Sequence, residues 1–206
     1  ALTFETLEDI INNQRGGLLS IGFLLALYFS TNGMSSLIQA FNASYHIREN
    51  KSIFKQQVLS IVLTLILSGL VFITILLIIF GKITVNYLIE FQYINSNEIF
   101  ILNGAKWIIL ITMLFFGITT IFNLGPAIIG KIKIFSSGAI LATIFIILTS
   151  IGFSYYIDNF SQYNKIYGSI GTLMIILLWM YFNAIILLTG FELNASINNA
   201  KNQLKT

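Results

Sequence analysis

The sequence predicts an all-α integral membrane protein, a bundle of five transmembrane helices with a short amphipathic helix at its N-terminus. Three observations carry that expectation. Of the 206 residues, 56% are hydrophobic and only 9% are charged, against about 25% charged in an ordinary soluble domain. A soluble fold has too little interior to hide so much apolar surface, so lipid must be part of the solvent. The 22 residues from Ile170 to Phe191 carry no charge, and roughly 20 suffice for a helix to cross a bilayer core. A single proline, and no segment with period-2 alternation, fits long helices rather than a barrel of outer-membrane strands. The whole chain, 1–206, reads as one bundle domain.

Composition also excludes functions. There is no cysteine, so disulfides, thiolate catalysis and cysteine-ligated metals are out. The net charge of +3 is small and does not argue for nucleic acid, because topology explains its placement.

Residues 1–16 read as the amphipathic helix. Leu2, Phe4, Leu7, Ile10 and Ile11 fall on one face, with Glu5, Glu8 and Asp9 on another. The expected place is the membrane surface. The first span runs over Gly17–Phe41. Its first half is apolar; its second half carries Asn32, Ser36 and Gln39, with Ser35 and Asn42 close by. Spacings of three and four place them on one helical face. Such groups are costly in hydrocarbon unless partnered, so the face should point into the bundle or toward water. Interhelical hydrogen bonding and the lining of a polar cavity both account for it.

A basic loop follows (42–57), with Arg48, Lys51 and Lys55 against Glu49. The second span is Val58–Phe80, where Ser60, Thr64 and Ser68 recur every four residues as a seam for close helix packing. Residues 81–103 read as the longest connection, holding a partly helical segment at the interface. The third span is Trp107–Asn123, and Gly125-Pro126 then turns the chain into the loop 124–134. The fourth span is Phe135–Tyr155. The last is Tyr167–Ala195, with Trp179, Tyr181 and Asn183 at mid-depth and Glu192 and Asn194 at its close. Its helix is expected to run on to Asn199, past the hydrocarbon.

Basic residues orient the chain. Arg48, Lys51 and Lys55, then Lys131 and Lys133, then Lys201 and Lys205 fall on one side; Arg15, Lys82, Lys106 and Lys165 fall on the other. The richer side is expected in the cytoplasm, with the C-terminus. Tyr87, Tyr93, Tyr155, Tyr156, Tyr163 and Tyr167 then lie near the outer interface as an aromatic belt. A start on the outer side without a signal peptide leads to the expectation of one preceding span.

At this point the chain resembles the YihY/BrkB family of bacterial inner-membrane proteins, some long labelled ribonuclease BN. The strongest part is residues 150–195, where Gly152, Phe153, Tyr156, Tyr163, Tyr167, Gly168, Ser169, Gly171, Trp179, Tyr181, Gly190, Glu192 and Asn194 match the family's pattern. Asn42, Tyr45, Glu49 and Phe54 match its first cytoplasmic loop, and Pro126 and Ser137-Gly138-Ala139 the region before span four. Three positions depart: Ser137 stands for a proline, Lys51 for an arginine and Ile144 for a tryptophan. The resemblance implies six helices, hence one absent here, and a role in envelope biogenesis or the export of a lipid.

The nuclease label does not fit the residues. The only histidine is His46, and no His/Asp cluster is present to hold a catalytic metal. No phosphate loop is present either. The expectation is therefore no catalysis, no metal and no cofactor; three of Tyr45, His46, Glu49, Asp158 and Glu192 meeting in one pocket would overturn it. Glu192 is either an interfacial residue meeting water or, if deeper, a proton-relay or substrate group. Asn183 either hydrogen-bonds a neighbouring helix or touches a ligand. The functional expectation is transport or export of a lipid or amphiphile. Asn32, Ser36, Gln39, Asn42, Asn183 and Glu192 are the ligand candidates, and Arg48, Lys51 and Lys55 would hold anionic head groups. The rival is a membrane scaffold that binds partner proteins and transports nothing.

Overall fold

The computed structural model describes residues 16–44, 53–91, 96–126, 133–159 and 169–203. They form five helices: α1 (Gly16–Ser44), α2 (Ile53–Glu90), α3 (Ser96–Leu124), α4 (Ser137–Asn159) and α5 (Ser169–Gln203). All five are long and apolar enough to cross a membrane, and the described residues contain no strand. The amphipathic helix expected over residues 1–16 lies outside the described residues, except that Gly16 opens α1.

The helices outrun the spans read from the sequence. α2 has 38 residues, about 57 Å of helix against a hydrocarbon core of about 30 Å. The expected connection 81–103 is mostly helix: α2 continues to Glu90 and α3 begins at Ser96. The reason is physical. Loss of apolarity marks where hydrocarbon ends, whereas a helix ends where its backbone hydrogen bonds do. Lys82 and Tyr87 end the first and are no bar to the second. α5 likewise extends past the expected Asn199 to Gln203.

Each helix packs on its chain neighbour, and α5 also meets α1, so the contacts close a ring. The ring is tightest at one end. There Phe41 stacks on Phe191, centroids 4.2 Å apart, and Phe122 meets both edge-on at 5.6 and 5.7 Å. Ile118, Ile121, Ala139, Ala142 and Ile146 complete this core. Toward the other end Phe23, Phe72, Trp107, Ile151 and Leu173 are exposed. Apolar side chains in such number, facing outward on helices of this length, are the surface that lipid covers.

Candidate functional site

Polar groups gather at the tight end, and most of them fasten backbone. Ser136 caps α4: its Oγ accepts the Ala139 N–H at 3.2 Å, and its carbonyl accepts the Ile140 N–H. Asn194 of α5 completes the cap. Its Oδ1 accepts the Gly138 N–H at 2.8 Å and its Nδ2 donates to Ser136 Oγ at 2.9 Å. Asn123 of α3 holds the chain before α4, accepting the Lys133 N–H and donating to the Lys133 carbonyl. Thr119 Oγ1 donates to the Ile134 carbonyl. These bonds tie α3, α4 and α5 together where the chain leaves regular helix.

The polar half of α1 divides into two faces. Thr31, Ser35, Ile38 and Asn42 are buried. Ser35 meets α2, where Gln56 Nε2 donates to its Oγ at 3.3 Å and its carbonyl at 3.4 Å. Asn32, Ser36 and Gln39 lie elsewhere: Asn32 is half-buried, Ser36 and Gln39 are exposed. At about 100° per residue, their strip is rotated by roughly 100° from the buried face. It turns toward neither the Gln56 contact with α2 nor the Phe41 stack on α5. The single polar face expected from spacing is thus two faces; Asn42 belongs to the buried one, and Asn32, Ser36 and Gln39 flank it.

Asn183 is half-buried, and its amide donates to the Trp179 carbonyl of its own helix at 2.7 Å. The Trp179 indole donates to Ser150 of α4 at 3.3 Å. Glu192 is exposed, and Ser44 Oγ of α1 donates to its Oε1 at 3.4 Å. Lys55 is exposed at the start of α2; Arg48 and Lys51 lie outside the described residues, as do Tyr45, His46 and Glu49. Among the described residues no three His, Cys, Asp or Glu side chains gather as a metal site.

Two cavities open on the lateral surface. One, of about 310 Å³, lies between α4 and α5 and is lined by Ser150, Phe153, Ser154, Ile157, Ile175, Ile176 and Trp179. The other, of about 420 Å³, runs along α4 past Ser137, Ile140, Leu141, Ile144 and Phe145. Both linings are mainly apolar.

The seam expected from Ser60, Thr64 and Ser68 is shorter than its spacing indicates. Ser60 and Thr64 are buried and Ser68 is exposed. Several hydroxyls within the helices turn back on their own backbone four residues earlier: Ser36, Ser44, Ser60, Thr74, Thr112, Thr120, Thr143 and Thr189 do so. Among the described residues the buried Oγ1 atoms of Thr31 and Thr64 have no hydrogen-bond partner. Sequence reading missed the parts played by Gln56, Asn123 and Ser136. Ser136 alone had a local signal, a serine just ahead of an apolar helix.

The family described as Virulence factor BrkB matches residues 2–206. The ribonuclease-like protein YfkH of Bacillus subtilis is 30% identical over 203 residues, covering 98% of this chain and 72% of that protein. A UPF0761 membrane protein of Haemophilus influenzae is 35% identical over 104 residues, which is 50% of this chain and 39% of that protein. One from Alteromonas mediterranea is 43% identical over 63 residues, 31% of this chain and 21% of its own length. No solved structure matches the chain.

Proposed function

We propose that this chain, which belongs to the BrkB family of multi-pass membrane proteins, binds and moves a lipid or amphiphile across the bacterial inner membrane in envelope biogenesis. The observation that carries this reading is the flanking strip of α1. Asn32, Ser36 and Gln39 present amide and hydroxyl groups within a membrane span, on a face turned away from the α2 and α5 contacts. Polar groups in hydrocarbon are unfavourable without partners, and a head group sliding along α1 supplies them. Asn183 adds to the same level. The Phe41–Phe191 stack and the Ser44–Glu192 bond keep nearly the same sequence offset, so α1 and α5 run parallel. By that register Asn183 falls at the axial level of Gly33, one residue from Asn32. The slot between α4 and α5 has the apolar lining an acyl chain needs. Arg48, Lys51 and Lys55 would gather anionic head groups on the cytoplasmic side. Without a nucleotide loop, the movement is facilitated or proton-coupled, and we propose no catalysis; the ribonuclease-like name stays with YfkH.

Proteoliposome assays test this directly. Combining Asn32→Leu, Gln39→Leu and Asn183→Leu should reduce translocation of a fluorescent phospholipid at least tenfold while the protein stays folded. Unchanged translocation and unchanged lipid binding would leave the scaffold reading. A specific observation favours that rival: the side chains of buried Gln56 and Ser136 and of half-buried Asn123 and Asn194 are all engaged in hydrogen bonds within the protein.

The proposed orientation has its own check. Cysteine replaces no native cysteine here, so single variants read cleanly. Asn95→Cys and Asn159→Cys should react with an impermeant thiol reagent in intact cells, and Asn50→Cys and Asn202→Cys should not. Labelling of Asn50→Cys but not Asn95→Cys inverts the orientation and removes the cytoplasmic capture of head groups.

A further inference from the structure

We propose that bound water occupies the seam between α1 and α2 and bridges the hydroxyls of Thr31 and Thr64. Each of the two residues is only 4% exposed, and neither Oγ1 has a hydrogen-bond partner. A buried hydroxyl without a partner costs about 1–3 kcal/mol. A threonine in a helix has an easy remedy, the bond back to the carbonyl four residues earlier, which Thr74 and Thr143 take. Thr31 and Thr64 hold rotamers that forgo it, so their oxygens serve something else.

Register brings the two together. Gln56 reaches Ser35, and the two helices, joined in sequence by a short segment, run antiparallel. Thr31 lies one turn from Ser35, and Thr64 two turns from Gln56, both away from the connecting end. The remaining offset along the axes is about one turn, or roughly 5–6 Å. Side chains lean toward the N-terminus of their own helix. In an antiparallel pair that tilts Thr31 and Thr64 toward each other, leaving the gap a water spans. Buried Ser60, itself bonded to the Gln56 carbonyl, lines the seam between them.

The chemistry selects water over an ion. The lining is hydroxyl and amide, without a carboxylate, and an uncompensated cation at this depth is expensive. Water both donates and accepts, as two hydroxyls require, and needs two to four polar partners. The seam reaches from the start of α2 to Thr64, about 17 Å or half the hydrocarbon. It thus carries hydration to the level of Asn32.

Thermal unfolding of the detergent-purified protein tests the bridge through Thr31→Val, Thr64→Val and the double variant. Valine keeps the branched shape and puts a methyl group in place of the hydroxyl. Each single change should lower the midpoint by about 2–4 °C, and the double variant should fall no lower than the worse single, because one bridge is lost once. Thr64→Ser should keep the wild-type midpoint. Midpoints that rise with valine, or losses that add in the double variant, overturn the proposal. Magnetisation transfer from water to the Thr31 and Thr64 methyl groups in the unaltered protein gives an independent reading: transfer supports the bridge, and its absence sinks it.

Discussion

Leucine at Gly138 or Gly190 should abolish the folded protein, leaving no monodisperse species after detergent extraction. The two glycines face each other where α4 crosses α5. A Cβ on Gly190 would lie 2.7 Å from the Gly138 carbonyl oxygen and 3.0 Å from the Ala142 Cβ, and one on Gly138 would fall on the Gly190 carbonyl. The nearest obstacle at each is a backbone oxygen, which no side-chain rotation can move aside. The helices must part instead, and parting them draws Phe191 off Phe41 and Phe122 and Asn194 off the start of α4. Alanine at either position should cost about 3 kcal/mol, the upper end for an overpacked interior. Gly22 and Gly69 provide the contrast. A Cβ there meets nothing within 4 Å, so alanine should be neutral or stabilise the helix by up to about 1 kcal/mol. Melting curves of the four alanine variants, followed by loss of the monodisperse peak on heating, decide the matter. Equal midpoints across all four would show that the crossing does not hold the bundle.

That contrast also shows where sequence reading stops. The five spans were legible because hydrocarbon forbids charge, and Lys82, Lys106, Lys133 and Lys165 bracket the charge-free stretches. The helix ends were not legible. The backbone of α2 stays hydrogen-bonded for a further ten residues beyond Phe80, and nothing in residue type forbids it. On α1 the spacing of Asn32, Ser36 and Gln39 disclosed a polar face, yet a shift of one residue turns a helix by about 100°. Which of Thr31 or Asn32 faces inward depends on α2, through Gln56 and Ser35. Gly138 and Gly190 were legible as small residues but not as partners, since the pairing crosses 52 positions (190 minus 138). The same holds for Asn194 and Ser136, 58 positions apart. Local physics sets span and depth; the pairings belong to packing.

Asn194→Leu should lower stability by about 2–3 kcal/mol, whereas Asn194→Asp should stay within about 1 kcal/mol of the native protein. Leucine removes an acceptor from the Gly138 N–H and a donor from Ser136 Oγ. The Gly138 N–H is one of the first-turn donors of α4, which have no partner within their own helix, and Gly138 is buried, so water does not replace the lost bond. Ser136 keeps its bond from the Ala139 N–H and therefore part of the cap. Aspartate retains an oxygen for Gly138, and its negative charge lies at the N-terminus of α4, where the helix dipole favours it. Its second oxygen can accept the Ser136 hydroxyl proton while that hydroxyl still accepts from Ala139. Ser136→Ala alone should cost about 1 kcal/mol, the usual value of an N-cap. Combined with Asn194→Leu it should cost less than the two losses added, because the shared bond between them disappears once. Unfolding midpoints of the three single variants and the double variant supply the cycle. An aspartate variant as unstable as the leucine variant would assign the effect to packing around Asn194, not to the cap it completes across α4 and α5.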